Sequence, residues 1–151
     1  RYSSTDLSTH DKQMIHCYML NNLKDAYKRD SYKDKDGKEQ PLLDVFNKSD
    51  VILINEGQFF EDLVPSVLDM IEVYNKRVHV CGLDGDFKRQ QFGTMLDLIP
   101  YCDKVEKLSA FCSKCRDGTL AIFSHRVTSE DAQIVIGADN YMPLCRRCYN
   151  K

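Results

Sequence analysis

The sequence predicts an α/β domain, with a parallel sheet flanked by helices, followed by a small domain built on cysteine pairs. Three observations carry this reading. Val51-Ile-Leu-Ile54 is an unbroken aliphatic run bounded by Ser49-Asp50 and Gly57, the pattern of a strand buried on both faces of a parallel sheet. A second short run, Val78-His-Val-Cys-Gly82, follows a stretch of helical spacing, and strand–helix–strand is the signature of parallel pairing. Finally, Cys112-Ser-Lys-Cys115 and Cys145-Arg-Arg-Cys148 form two Cys-x-x-Cys knuckles.

Composition bounds the rest. With 151 residues, 42% of them hydrophobic, the expectation is one domain with a small appendage and a real core. A net charge of -2 argues against a polyanion as the main partner, so no direct nucleic-acid partner is expected despite Arg146-Arg147. No apolar run reaches the length of a membrane span, and no membrane partner is expected. Seven cysteines, an odd count, fit poorly with a complete disulfide framework. A reducing, cytoplasmic compartment is expected, with Cys17, Cys81 and Cys102 as reduced core residues.

In chain order, Thr9-His10-Asp11 caps a helix through Met14, Ile15, Tyr18, Met19 and Leu23. Residues 30–40 are dense in mixed charge without an aliphatic residue, and predict an exposed loop or insertion. Asp36-Gly37-Lys38 is not a phosphate loop, because Tyr32 stands where the first glycine is needed and Glu39 where Ser or Thr is needed. Pro41 then starts a helix carrying Leu42, Leu43, Val45 and Phe46. The central strand ends abruptly in Asn55-Glu56, and ligands of open α/β sheets bind beyond the carboxyl ends of strands. Glu56 is therefore the candidate working carboxylate.

Phe60, Leu63, Val64, Val67, Leu68, Met70, Ile71 and Tyr74 recur at helical spacing, with Pro65 in the first turns and Asn75-Lys76-Arg77 as the stop. His79 is expected to be packed or half-exposed. The loop Leu83 to Gly93 would lie at the same carboxyl edge as Glu56. Its Phe87 and Phe92 are poor core candidates that either wall a flat ligand or anchor the loop, and its Lys88 and Arg89 face phosphates or solvent. A short helix is expected at Thr94–Leu98, and strands at Lys104–Cys112, Leu120–Arg126 and Gln133–Gly137.

Two knuckles can bring four thiolates into a tetrahedron, the geometry of structural zinc, against redox pairs or free thiols as alternatives. Cys112, Cys115, Cys145 and Cys148 are the candidate ligands. Four thiolates leave no open position on the metal, so its expected role is to fasten the segment 116–144.

At this point a resemblance emerges. Asn55-Glu-Gly-Gln-Phe-Phe60, Leu83-Asp-Gly-Asp-Phe87 with Phe92-Gly93, the two knuckles, and Gly137-Ala-Asp-Asn-Tyr141 together resemble the zinc-containing (type II) thymidine kinases. The match runs from Arg1-Tyr-Ser-Ser to Cys148-Tyr149 apart from the charged insertion. It implies a P-loop-kinase-like α/β domain over residues 1–108, with a zinc-binding lasso domain over 109–151. It also implies transfer of the ATP γ-phosphoryl group to the 5'-hydroxyl of thymidine or deoxyuridine, with magnesium. By the same resemblance Glu56 is the general base, and Arg1, Asn55, Gly57 and Gln58 lie on the ATP and magnesium side. Phe59, Leu83, Phe87, Phe92, Ser124, Ala132, Gln133, Ile134, Val135, Ile136 and Tyr141 match nucleoside-binding positions. A homotetramer or homodimer is implied.

The chain departs from the family twice. The family's Gly-rich phosphate loop, ending in Lys-Ser or Lys-Thr, belongs upstream of the Arg1 segment and is not within these residues; without it ATP should not bind productively. Asn55 stands where the family has an aspartate, so a magnesium-holding charge is absent. The leading expectation is a fragment of an active kinase. The alternative is a catalytically silent kinase-like module that binds nucleoside or supports a partner domain.

Overall fold

The computed structural model describes residues 31–33, 36–135 and 137–151. The expected helix over Thr9–Leu23 and the positions of Arg1, Cys17 and Ile136 lie outside the described residues. The chain divides into two compact units, one comprising 1–83 with 93–98 and the other 84–92 with 99–151. No helix among the described residues is long and apolar enough to cross a membrane.

The first unit opens on an antiparallel hairpin, β1 (Ser31–Lys33) with β2 (Glu39–Pro41). The exposed loop expected over 30–40 is thus partly a strand pair. A backbone ladder holds it without an aliphatic face, so hydrophobic alternation could not reveal it. Gly37, at φ 76°, supplies the left-handed residue of its turn. Helix α1 (Leu42–Lys48) starts directly after Pro41, whose fixed φ leads into the first turn. It buries Val45 and Phe46 and ends where Ser49 donates its N–H to Phe46 O and its hydroxyl to Val45 O.

Strand β3 (Val51–Ile54) pairs in parallel with β4 (Arg77–Val80), in the register Val51↔Arg77 through Ile54↔Val80. The parallel pairing expected from the sequence is present. The ladder outlasts the strands: Cys81 N–H donates to Ile54 O at 2.9 Å, and Gly57 N–H donates to Cys81 O at 3.0 Å. Helix α2 (Leu63–Leu68) connects the strands, with Pro65 in its first turn, and widens into a π turn over Asp69–Val73. Asn75, at φ 51°, ends it and redirects the chain into β4. Phe46, Ile52, Ile54, Phe60, Leu63, Val67, Met70 and Leu98 form the core. His79 is half-buried.

The second unit holds two small hairpins. Strand β5 (Ala110–Phe111) pairs with β6 (Leu120–Ala121), and β7 (Phe123–Arg126) with β8 (Tyr141–Leu144), all antiparallel. A one-turn helix, α3 (Arg146–Tyr149), closes the chain. Around the hairpins Cys112, Ala121, Leu144 and Cys145 form a small buried cluster, flanked by Cys115, Met142, Cys148 and Tyr149.

Four expectations need correction. The strand expected over Lys104–Cys112 shortens to Ala110–Phe111, because residues 103–111 are all exposed and their alternation has no core to face. Residues 133–135 and 137 form no strand; the Gln133 and Val135 carbonyls accept from Arg126 and Tyr141 side chains, and Gly137 O accepts the Asn140 N–H. Cys81 and Cys102 are exposed rather than core residues. Each sits where the chain leaves its element, and its thiol donates to Asn55 Oδ1 and Ile99 O respectively. The helix expected at Thr94–Leu98 is a 3₁₀ stretch, Met95–Tyr101, that includes Pro100.

Candidate functional site

In the first unit the candidate groups converge at the carboxyl end of β3. Glu56 follows the strand with φ 55° and ψ 44°, a left-handed conformation that costs a residue bearing a Cβ about 1 kcal/mol. The neighbouring hydrogen bonds hold it there: Gly57 N–H reaches Cys81 O, and Phe59 N–H reaches Glu56 O at 3.1 Å. Glu56 is exposed, whereas Gly57 and Gln58 are buried. A Cβ on Gly57 would come within 2.7 Å of both Met95 Sδ and Val80 Cγ1, so only glycine lets the turn press onto β4 here.

Gln58 links the turn to the end of β4. Its Oε1 accepts the Leu83 N–H at 2.9 Å, and its Nε2 donates to Glu56 Oε2 at 2.5 Å. Asn55 is exposed, and its Oδ1 accepts the Cys81 thiol proton at 3.0 Å. Phe59 and Leu83 are partly exposed, at 36% and 41%. Chemically, the arrangement presents a carboxylate to solvent with one oxygen already occupied by an amide and the other open to a proton.

In the second unit the loop 84–92 carries Asp86, Phe87 and Phe92. An isolated bridge, Gly85↔Gln91, and the bond from Phe92 N–H to Asp84 O close it. Phe92 is buried, contrary to the expectation that it is a poor core candidate. Asp86 is also buried. Burial alone would raise its pKa, but donation from the Gln133 amide and from the N–H groups of Gln90 and Lys88, together with the Lys88 charge, outweighs it and leaves the carboxyl below its ordinary value.

Arg126, at the end of β7, is a buried cation. Its guanidinium lies 3.7 Å from the Phe87 ring centroid. It donates to Glu130 O at 2.8 Å, to Ala132 O, to Gln133 O at 3.0 Å and to the Tyr141 hydroxyl at 2.5 Å. Tyr141 in turn donates to Val135 O at 3.1 Å. Two side chains on β7 and β8 therefore set the path of 130–135. Ala132, Gln133 and Ile134 are exposed along it, Val135 is half-buried, and Ser124 is half-buried within β7 opposite Pro143. The Lys88–Asp131 pair at 3.0 Å is exposed and adds little. The sequence assigns no role to Arg126, or to Asp86 within the Leu83–Phe87 motif. A charged residue ending an otherwise mixed strand was the available signal for the first; a turn aspartate of this kind carries no distinctive spacing.

The four knuckle cysteines gather as expected, with all four sulfurs within 4.8 Å of one another. Cys115 Sγ lies 3.7 Å from Cys145 Sγ and 3.5 Å from Cys148 Sγ. Thiolates about 2.3 Å from a tetrahedral zinc lie about 3.8 Å apart, so this donor set fits the ion. The Cys145 N–H donates to Cys112 Sγ at 3.3 Å and draws the Cys112 thiol down to about 6. Its bond with Cys115 pushes the Cys148 thiol up to about 12. Arg147 Nη2, 3.5 Å from Cys115 Sγ, offsets the sulfur charge from outside.

A family model described as Thymidine kinase matches residues 1–149. The chain is 41% identical over 150 residues to the thymidine kinase of Oryza sativa subsp. japonica, covering 99% of this chain and 51% of that protein. It is 40% identical over 150 residues to thymidine kinase a of Arabidopsis thaliana, covering 99% and 58%. With the thymidine kinase of Porphyromonas gingivalis it shares 36% over 152 residues, covering 100% and 66%. The chain thus spans about half to two thirds of the length of these relatives. A parallel strand pair ending in a fixed carboxylate, a four-thiol centre and a match along nearly all its residues lead to one conclusion: the chain belongs to the thymidine kinase family.

Proposed function

We propose that the protein carrying this chain transfers the γ-phosphoryl group of ATP to the 5'-hydroxyl of thymidine, with Glu56 as general base. The observation that carries this is the Glu56 carboxylate, exposed at the strand end in a turn that fixes its backbone and half-engages its side chain. As the hydroxyl oxygen forms its bond to phosphorus, its proton passes to the open oxygen of Glu56, while the bond to the departing ADP breaks. A base within hydrogen-bond reach of that proton contributes about 10²–10⁴-fold. Bound magnesium neutralises the phosphate charge that develops.

On this reading Arg1, Asn55 and Gly57 belong to the ATP and magnesium side, and Gln58 lies in the same turn as Glu56. Phe59, Leu83, Phe87, Phe92, Ser124, residues 132–136 and Tyr141 belong to the nucleoside side. Ring faces such as that of Phe87 suit a flat base, and the backbone groups of the 132–135 loop suit its hydrogen-bonding edge. Zinc on Cys112, Cys115, Cys145 and Cys148 takes no part in chemistry; it ties the roots of the lasso loop. A tetrameric or dimeric assembly in the cytoplasm completes the proposal.

The test is formation of thymidine monophosphate and ADP by the full-length protein with magnesium. Glu56→Gln should lower kcat by about 10²–10⁴-fold while thymidine binding stays within a few-fold. Unchanged turnover in the variant removes Glu56 from the role, and a folded, zinc-loaded wild type without turnover favours the silent module.

A further inference from the structure

We propose that Gln58 is the positioning residue of the Glu56 carboxylate, acting through Glu56 rather than on ATP; the inference rests on the reading of Glu56 as general base. Its side chain is buried, and both polar ends are engaged. The Leu83 N–H can only donate, so the amide oxygen must face it. This leaves the amide NH₂ facing Glu56 Oε2, and an NH₂ group can only donate to that carboxylate. The orientation of the amide is thereby decided by the backbone of the neighbouring strand's end. A flexible carboxylate on an exposed turn is converted into one with a fixed direction.

The space for this amide is built into the chain. A Cβ on Gly82 would overlap Gln58 Oε1 and approach Gly57 N to 2.9 Å. A Cβ on Gly93 would overlap the Gln58 carbonyl, and Gly93 also holds φ +58°. Glycine on either side lets Gln58 lie where it meets Leu83 and Glu56 together. Each polar end of Gln58 is already directed at a protein group, Leu83 N–H or Glu56 Oε2, which fits a positioning role.

The experiment is a double-mutant cycle in the full-length enzyme, read in kcat and in the KM values for thymidine and ATP. Gln58→Met keeps the volume and removes both hydrogen bonds. Gln58→Glu keeps an acceptor for the Leu83 N–H but sets a carboxylate against Glu56. Both should lower kcat about 10²-fold, the scale of a 1 Å misplacement of a catalytic group, with both KM values changed less than threefold. Neither should lower kcat further in a Glu56→Gln background, since the group they position is already gone.

A role confined to anchoring Leu83 predicts rescue by Gln58→Glu, and a role in ATP binding predicts a raised ATP KM in both backgrounds; either result overturns the proposal. Should the wild type show no thymidine phosphorylation, the functional reading fails by itself. The positioning is then decided by crystal structures of wild type and Gln58→Met. A displaced Glu56 carboxylate in the variant supports the proposal, and an unmoved one overturns it.

Discussion

Arg126 shows most sharply what a residue can do without being visible in a pattern. Among the described residues its buried charge meets no carboxylate; carbonyl dipoles, a tyrosine hydroxyl and an aromatic face surround it instead. Such a cation is costly to bury and holds only because several acceptors converge on it. That convergence is set by the fold, so no spacing rule reveals it. Glu56 was legible for the opposite reason: an acidic residue directly after four aliphatic ones breaks local pattern at the place where α/β sheets bind ligands. Asp86 gives a test at this scale. Its folded pKa lies below the unfolded value, so its stabilisation is full above the unfolded pKa and is lost as pH falls through the folded one. Asp86→Asn should therefore lower Tm at pH 7, and the gap from wild type should close below pH about 4. A gap independent of pH in thermal melts would show that ionisation of Asp86 contributes nothing.

Among elements, those with an apolar face were readable and those held by polar atoms were not. Strands β3 and β4 and helix α2 contribute to the larger core, the strands announced by short apolar runs and the helix by its spacing. The β1–β2 hairpin and the 130–135 loop owe their shapes to backbone ladders and to Arg126 and Tyr141, which leave no hydrophobic trace. The β5–β8 hairpins are intermediate: their cysteines were plain, but their four buried core residues are too few to hold them unaided. A metal held by the four cysteines would contribute its binding free energy to their folding. Removing zinc with a strong chelator should release backbone hydrogen-exchange protection across residues 110–149 and leave β3 and β4 protected. Retained protection in the hairpins after complete metal loss would mean that their own contacts suffice.

At the scale of the whole molecule, neither unit is a continuous stretch of chain. The backbone passes between them after Leu83, after Phe92 and after Leu98. Local patterns report on neighbours in sequence, so the membership of 84–92 in the second unit was not legible. A fragment of residues 99–151 lacks both Asp86 and Phe87, the partners of Gln133 and Arg126. It should still bind zinc, but its 130–135 amides should exchange faster than those of the full-length protein. Equal protection would assign the loop's order to Arg126 and Tyr141 alone.

The link between Asp86 and Gln133 spans 47 positions of sequence. During synthesis at 5–20 residues per second, that separation is about 2–10 s of elongation. Throughout that interval the emerging polypeptide carries an aspartate whose Gln133 partner has not yet been made. The second unit cannot finish until the last knuckle leaves the ribosome, so a nascent chain stalled before Cys148 presents unfinished surface that holding chaperones would recognise.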